Sequence, residues 1–192
     1  KAYVFYHRHT EGTQFSRQDC AEEVEIAPDG TIAQAEITSA GLNGGPLDPT
    51  RETPAYACCH LRSKEGILHF SSRTPWNEQH PKITEEVLSG VPTSARSFVA
   101  NLRDGAEVGY KYFAFTGAEK RLVAELRGDA AGTLVVHLDA PQGPAVAELD
   151  VTPETSWHQD TAELSKPVSG THALYFVYEG EGALDFVAFR CE

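Results

Sequence analysis

Nowhere in this chain do apolar residues keep a helical period for a useful length. From Phe98 to Phe189, short apolar stretches alternate instead with glycine-bearing turns. The stretches are 109–115, 122–127, 133–138, 145–149, 172–178 and 184–189. Between them fall Gly117, Gly128, Gly132, Gly143 and the Gly180-Glu181-Gly182 turn. Short strands at this spacing must each bury one face against a second layer, which predicts a jelly-roll-like β-sandwich over 97–192 and an all-β chain.

The first 62 residues carry a different pattern. Tyr3 to Thr10 alternates as a strand does, and a strand needs a neighbour to pair with. Phe15-Ser16-Arg17-Gln18 follows, then Glu25-Ile26 turning at Pro28-Asp29-Gly30 into Thr31-Ile32. That is a few antiparallel strands' worth, about one propeller blade. Such a unit cannot bury its own apolar face, so the chain is expected to be the C-terminal part of something larger. Gly41 to Pro46 predicts a loop, and Ala55-Tyr56-Ala57-Cys58-Cys59-His60-Leu61 a short apolar strand. Residues 63–96, interrupted by Pro75, Pro81 and Pro92, read as a connector.

Composition excludes some partners. Twenty-eight Asp and Glu against 16 Lys and Arg leave a net charge of −12, the wrong sign for a nucleic-acid backbone. No apolar run approaches the roughly 18–20 residues of a membrane span, so neither nucleic acid nor membrane is expected as a partner. Neutral or acidic polysaccharide stays open. Cys58 and Cys59 are adjacent, so at most one of them pairs easily with a distant Cys20 or Cys191; disulfide and free thiol are both open.

Two stretches resemble known families. Residues 1–47, through Tyr6-His7-Arg8, Phe15-Ser16-Arg17-Gln18 and Asp29-Gly30-Thr31-Ile32, resemble the last blade of a family 43 glycoside hydrolase, a five-bladed β-propeller. Residues 98–192, through the run from Asp104 to Phe113 and that from Gly170 to Phe176, look like a family 6 carbohydrate-binding module. The resemblance implies part of an inverting glycosidase acting on arabinose-, xylose- or galactose-containing glycans, with oligo- or polysaccharide and the upstream blades as partners. Its place would be extracellular or periplasmic rather than cytoplasmic if the parent degrades polysaccharide. Inverting hydrolysis needs two carboxyls far enough apart to admit a water, and none of the three family motifs that carry them matches here. No catalytic residue is therefore assigned. The other open reading is a free-standing carbohydrate-binding or adhesion module without catalysis.

Three residues are candidates. The resemblance places His7 on the innermost strand of the blade, facing substrate or holding a calcium through water; the bland alternative is a satisfied channel-lining histidine. Arg17 offers a fixed guanidinium fork to sugar hydroxyls, or forms a surface ion pair with Glu22, Glu23 or Glu25. Trp157 is a sugar platform or a core-facing indole. Arg8, which should face away from His7 by strand alternation, and His9 are left out. Modules of this kind clamp a pyranose between aromatics, but Asn101 stands at the clamping position and Ala183 or Leu184 near the last strand, where an amide is expected. This favours a sandwich that buttresses the propeller. Tyr110, Tyr112, Tyr175 and Tyr178 lie within strands and read as core or sheet-face residues. A structural calcium would fall loosely on Glu85 or Glu86, and Asp29 reads as turn chemistry.

Overall fold

The structure, a computed structural model, describes residues 1–10, 17–66, 80–87 and 95–192. Phe15, Ser16, Pro75 and Pro92 lie outside the described residues. Strands β1 (Ala2–His9) and β2 (Arg17–Val24) form an antiparallel two-stranded ribbon. Eleven further strands follow: β3 (Thr53–Pro54), β4 (His60–Arg62), β5 (Lys82–Val87), β6 (Ala95–Leu102), β7 (Ala106–Thr116), β8 (Arg121–Gly128), β9 (Ala131–Leu138), β10 (Ala145–Val151), β11 (Glu154–Glu163), β12 (Ser169–Glu181) and β13 (Leu184–Cys191). They build two sheets, one in the order β10-β9-β12-β7-β4 and one in the order β11-β8-β13-β6-β5, with β3 paired to the far half of β13. No helix among the described residues is long and apolar enough to cross a membrane.

The sandwich follows from alternation. On β7, β12 and β13 the inward positions carry Tyr110, Phe113, Phe176, Phe186 and Phe189, all buried. Their rings meet tilted or edge-on, Phe189 lying 4.7 Å from both Tyr110 and Phe176. Such packing contributes beyond the buried area, by about 0.5–1.5 kcal/mol per pair. The Tyr110 hydroxyl, deep in this core, donates to the Ala55 carbonyl at 2.9 Å. Tyr110 and Tyr178 are thus core residues, as strand placement predicted.

Two expectations are corrected. Residues 55–57 form a 3-10 turn, and only His60–Arg62 of the expected apolar strand is extended. The sandwich does not begin at residue 97: β3 and β4 come from the segment read as blade, and β5 and the start of β6 from the segment read as connector. Each is short or exposed on one face, so hydrophobic alternation marks it weakly. The described residues before Thr53 carry only the two-stranded ribbon, fewer than the four strands of a propeller blade. The Pro28-Asp29-Gly30 turn forms as read: Asp29 Oδ1 accepts from the Thr31 amide (3.0 Å) and hydroxyl (2.7 Å), which is turn chemistry. All four cysteines are free thiols.

Candidate functional site

The ribbon sorts its residues by alternation. Tyr6, Arg8 and Thr10 turn toward the body of the molecule. Arg8 Nη1 donates to the Cys59 carbonyl (3.0 Å), and Nη2 to the Cys58 carbonyl (2.9 Å) and Gln18 Oε1 (3.0 Å). Gln18 in turn donates to the carbonyls of Tyr56 and Cys58. Arg8, not His7, is the side chain that ties the ribbon to the sandwich. Its Nε is buried without a partner, a cost of about 1–3 kcal/mol for such a donor. The alternation of the strand could have flagged it.

His7 is exposed and lies opposite Asp19, while Arg17, also exposed, lies opposite His9. Residues directly opposite in an antiparallel pair share a face. The structure therefore brings His7 and Arg17 onto one ribbon face, with Asp19 and His9 beside them. Arg17 also contributes to the lining of a cavity of about 300 Å³ that Arg8, Gln18 and Tyr56 border.

Trp157 lies elsewhere, on β11 at the outer face of the second sheet. Its Nε1 donates to Glu86 Oε1 at 2.6 Å, and its ring meets Phe98 edge-on at 5.3 Å. The Arg127 guanidinium stacks 4.2 Å from its centroid, and that of Arg96 lies at 5.1 Å. Arg127 also pairs with Glu86 (2.7 Å) and Asp185 (3.1 Å). Burial works against the charge on Glu86, but the hydrogen bonds from Trp157 and Arg127 outweigh it and hold its carboxyl below the ordinary value of 4.5. Every polar atom of the indole and at least one ring face are thus occupied from within the chain.

The module's rim is built from the turns β6–β7, β8–β9 and β12–β13. There Asn101, in the left-handed region at φ 65°, donates from Nδ2 to the His80 carbonyl (2.9 Å) and accepts from Arg103 Nε (2.9 Å). Its amide donates to Asp185 Oδ1 at 3.1 Å. The turns pack closely: a Cβ on Gly182 would lie 2.5 Å from the Asp129 carbonyl oxygen. Glu85 and Glu86 do not suit a calcium cradle, because they alternate to opposite faces of β5 and Glu86 holds Arg127 and Trp157. Among the described residues, no three His, Cys, Asp or Glu converge as a metal site.

Two antiparallel sheets packed face to face are a frame that many protein families share, and it is the sequence that assigns the family. Residues 81–191 match the profile of the carbohydrate binding module (family 6), and the chain belongs to that family. A xylosidase/arabinosidase of Thermoclostridium stercorarium is 37% identical over 188 residues, covering 97% of this chain. The chain spans 39% of that relative's length. The fold also resembles a family 6 module from Clostridium cellulolyticum solved with xylose (TM-score 0.59, 14% identity, 76% of this chain and 99% of that one). It resembles, too, part of a family 43 arabinoxylan arabinofuranohydrolase from Bacillus subtilis (TM-score 0.61, 20% identity, 98% of this chain and 38% of that one).

Proposed function

We propose that this chain is the non-catalytic, glycan-associated part of a family 43-like glycoside hydrolase acting on arabinose-, xylose- or galactose-containing glycans. The observation that carries the reading is that the 37% identity to a xylosidase/arabinosidase runs over 97% of the chain, through ribbon and sandwich alike. The ribbon supports it physically. Phe5 is 70% exposed on one face of the ribbon, Val4 and Ile37 are exposed on the other, and among the described residues β1 and β2 pair only with each other. Strand edges and apolar faces are stable when further strands cover them.

In this reading the ribbon completes the last blade of a propeller, and the sandwich buttresses it through Arg8 and Gln18. His7 lines the central channel with Asp19 beside it. Calcium is the ion proposed there, its remaining oxygens coming from water and other blades, since calcium takes about 6–8 of them. Arg17, on the same face, offers its fork to glycan hydroxyls. Trp157 contributes to glycan contact only through whatever edge Glu86 and Arg127 leave exposed, and the rim, with Asn101 where a clamping aromatic is expected, binds soluble sugar weakly.

The test is complementation. The Thermoclostridium relative, made without the segment homologous to this chain, should gain arabinosidase or xylosidase turnover when this chain is added. Amide exchange at Tyr3 to Thr10 should slow at the same time. No gain in either would overturn the reading. A second reading, a free-standing glycan-binding module, draws support from the closed core formed by residues from Ala55 to Cys191 alone.

A further inference from the structure

We propose that the cavity between residues 35–46 and β7 binds a neutral oligosaccharide, at a site separate from the rim of the sandwich. It takes its ligand class from the proposed glycan association, but rests on other residues.

The site is built by a segment laid along β7. Ser39 N donates to the Lys111 carbonyl (2.7 Å), Leu47 N to the Tyr112 carbonyl (2.7 Å) and Ala114 N to the Leu47 carbonyl (2.9 Å). Between these anchors the chain arches through a 3-10 turn, Gly41–Asn43, and then Gly44-Gly45-Pro46. The arch encloses about 370 Å³ against Tyr112 and Thr171. That volume lies in the ~300–1,000 Å³ range of small-molecule sites. Thr171 pairs with Ala114, whereas the rim lies beyond the Tyr178–Ala106 end of the same strand pair. The cavity is therefore at the opposite end of β7 from Asn101.

Its chemistry is that of a hydroxyl acceptor. Glu36 Oε1 accepts from Lys111 Nζ (2.8 Å) and the Tyr112 hydroxyl (2.9 Å), which fixes the tyrosine ring as a wall and neutralises the lysine in place. Glu22, only 5% exposed, accepts at Oε1 from Thr38 N and Tyr6, and at Oε2 from Thr38 Oγ1 alone. A carboxylate oxygen has two acceptor sites, so Oε2 keeps one unused among the described residues. Thr171 adds a hydroxyl, whereas that of Thr38 is held by Glu22 and the Ala40 amide; a Cβ on Gly41 would meet nothing within 4 Å, so the floor is open. Glu36 is paired with Lys111 and Glu23 with Lys1 (2.9 Å), which leaves the Glu22 carboxylate to disfavour anionic ligands. Among the described residues no trio of donors suits a metal. What remains is a ligand that donates many hydrogen bonds and lays a C–H face on the Tyr112 ring beside the Lys111 ammonium, which stands 5.9 Å from the ring centroid. A neutral sugar does both.

The experiment is an ¹H–¹⁵N titration of the 192-residue chain with xylotriose, cellotriose, digalacturonate and calcium as separate arms. The neutral sugars should give saturable shifts at Thr38, Gly41, Tyr112 and Thr171, and the acidic sugar and calcium none there. Tyr112→Ala should weaken the neutral-sugar affinity at least tenfold. Thr171→Trp, at an exposed strand position, should block the cavity without touching the core and serves should Tyr112→Ala not fold. Neutral-sugar shifts confined to Asn101 and the Trp157 indole would overturn this site while leaving glycan association intact. Shifts nowhere would overturn both, and binding by calcium or digalacturonate alone would overturn the ligand class.

Discussion

The guanidinium of Arg127 lies 4.2 Å from the centre of the Trp157 indole, and both side chains hold the Glu86 carboxylate, at 2.7 and 2.6 Å. Arg96 lies over the same ring at 5.1 Å, so two cations of the chain stand on an indole whose N–H is already donated to Glu86. The indole works as a fastener between β11 and β5.

Replacing that fastener should therefore act on stability. Trp157→Ala removes the Phe98 contact and the Glu86 hydrogen bond, and should cost about 2–4 kcal/mol by urea denaturation, near the lower end for a large aromatic because the site is half-buried. Affinity for xylo-oligosaccharides should change less than threefold. A large affinity loss in a folded variant would restore Trp157 as a ligand contact.

Acid should loosen the same cluster. Glu86 is held below the ordinary 4.5, so its folded value is depressed. A depressed carboxyl contributes stability that is complete above the unfolded value and is lost as pH falls through the folded one. The Trp157 indole N–H resonance should thus stay constant above about pH 4.5 and move only below it. Glu86→Gln should abolish that titration.

Arg8→Ala should free the ribbon without unfolding the sandwich. It removes the bonds to the Cys58 and Cys59 carbonyls together with that to Gln18. Amide exchange in β1 and β2 should accelerate by tenfold or more, and that of β7, β12 and β13 should stay at the global limit. Acceleration throughout would show that ribbon and sandwich unfold as one unit.

Gly182→Ala should be strongly destabilising, by about 2–4 kcal/mol. Gly182 has φ 77°, and the new Cβ would press against the Asp129 backbone at 2.5 Å. A melting point within a degree of the parent would mean that the rim turns rearrange freely.

The strands that build the core were legible because their alternation is strong: β7, β8, β9, β10, β12 and β13 all begin or end within a few residues of the apolar stretches. β11 was not, since Glu154-Thr155-Ser156-Trp157-His158-Gln159-Asp160 is an edge strand with little buried surface and no apolar period. β4 and β5 escaped for the same reason, being short or one-sided. The bonds of Asn101 to the His80 carbonyl and Arg103 were not legible either, because the fold alone brings His80 to it. The partners of Trp157 were not, because Glu86, Phe98 and Arg127 converge on it only through the order β11-β8-β13-β6-β5. Tyr112 read as a sheet-face residue; its place on a cavity wall depends on the 35–46 segment crossing β7, which no local pattern announces.

The most direct measurement is hydrolysis by the chain alone. Purified to homogeneity and assayed against aryl α-L-arabinofuranosides, β-D-xylosides and galactosides, it should show no turnover above buffer, because no family 43 carboxylate motif can be matched in its sequence. Turnover that copurifies with the chain and survives His7→Ala and Arg17→Ala would show that other residues of this chain carry catalysis, and that the chain is an enzyme in its own right.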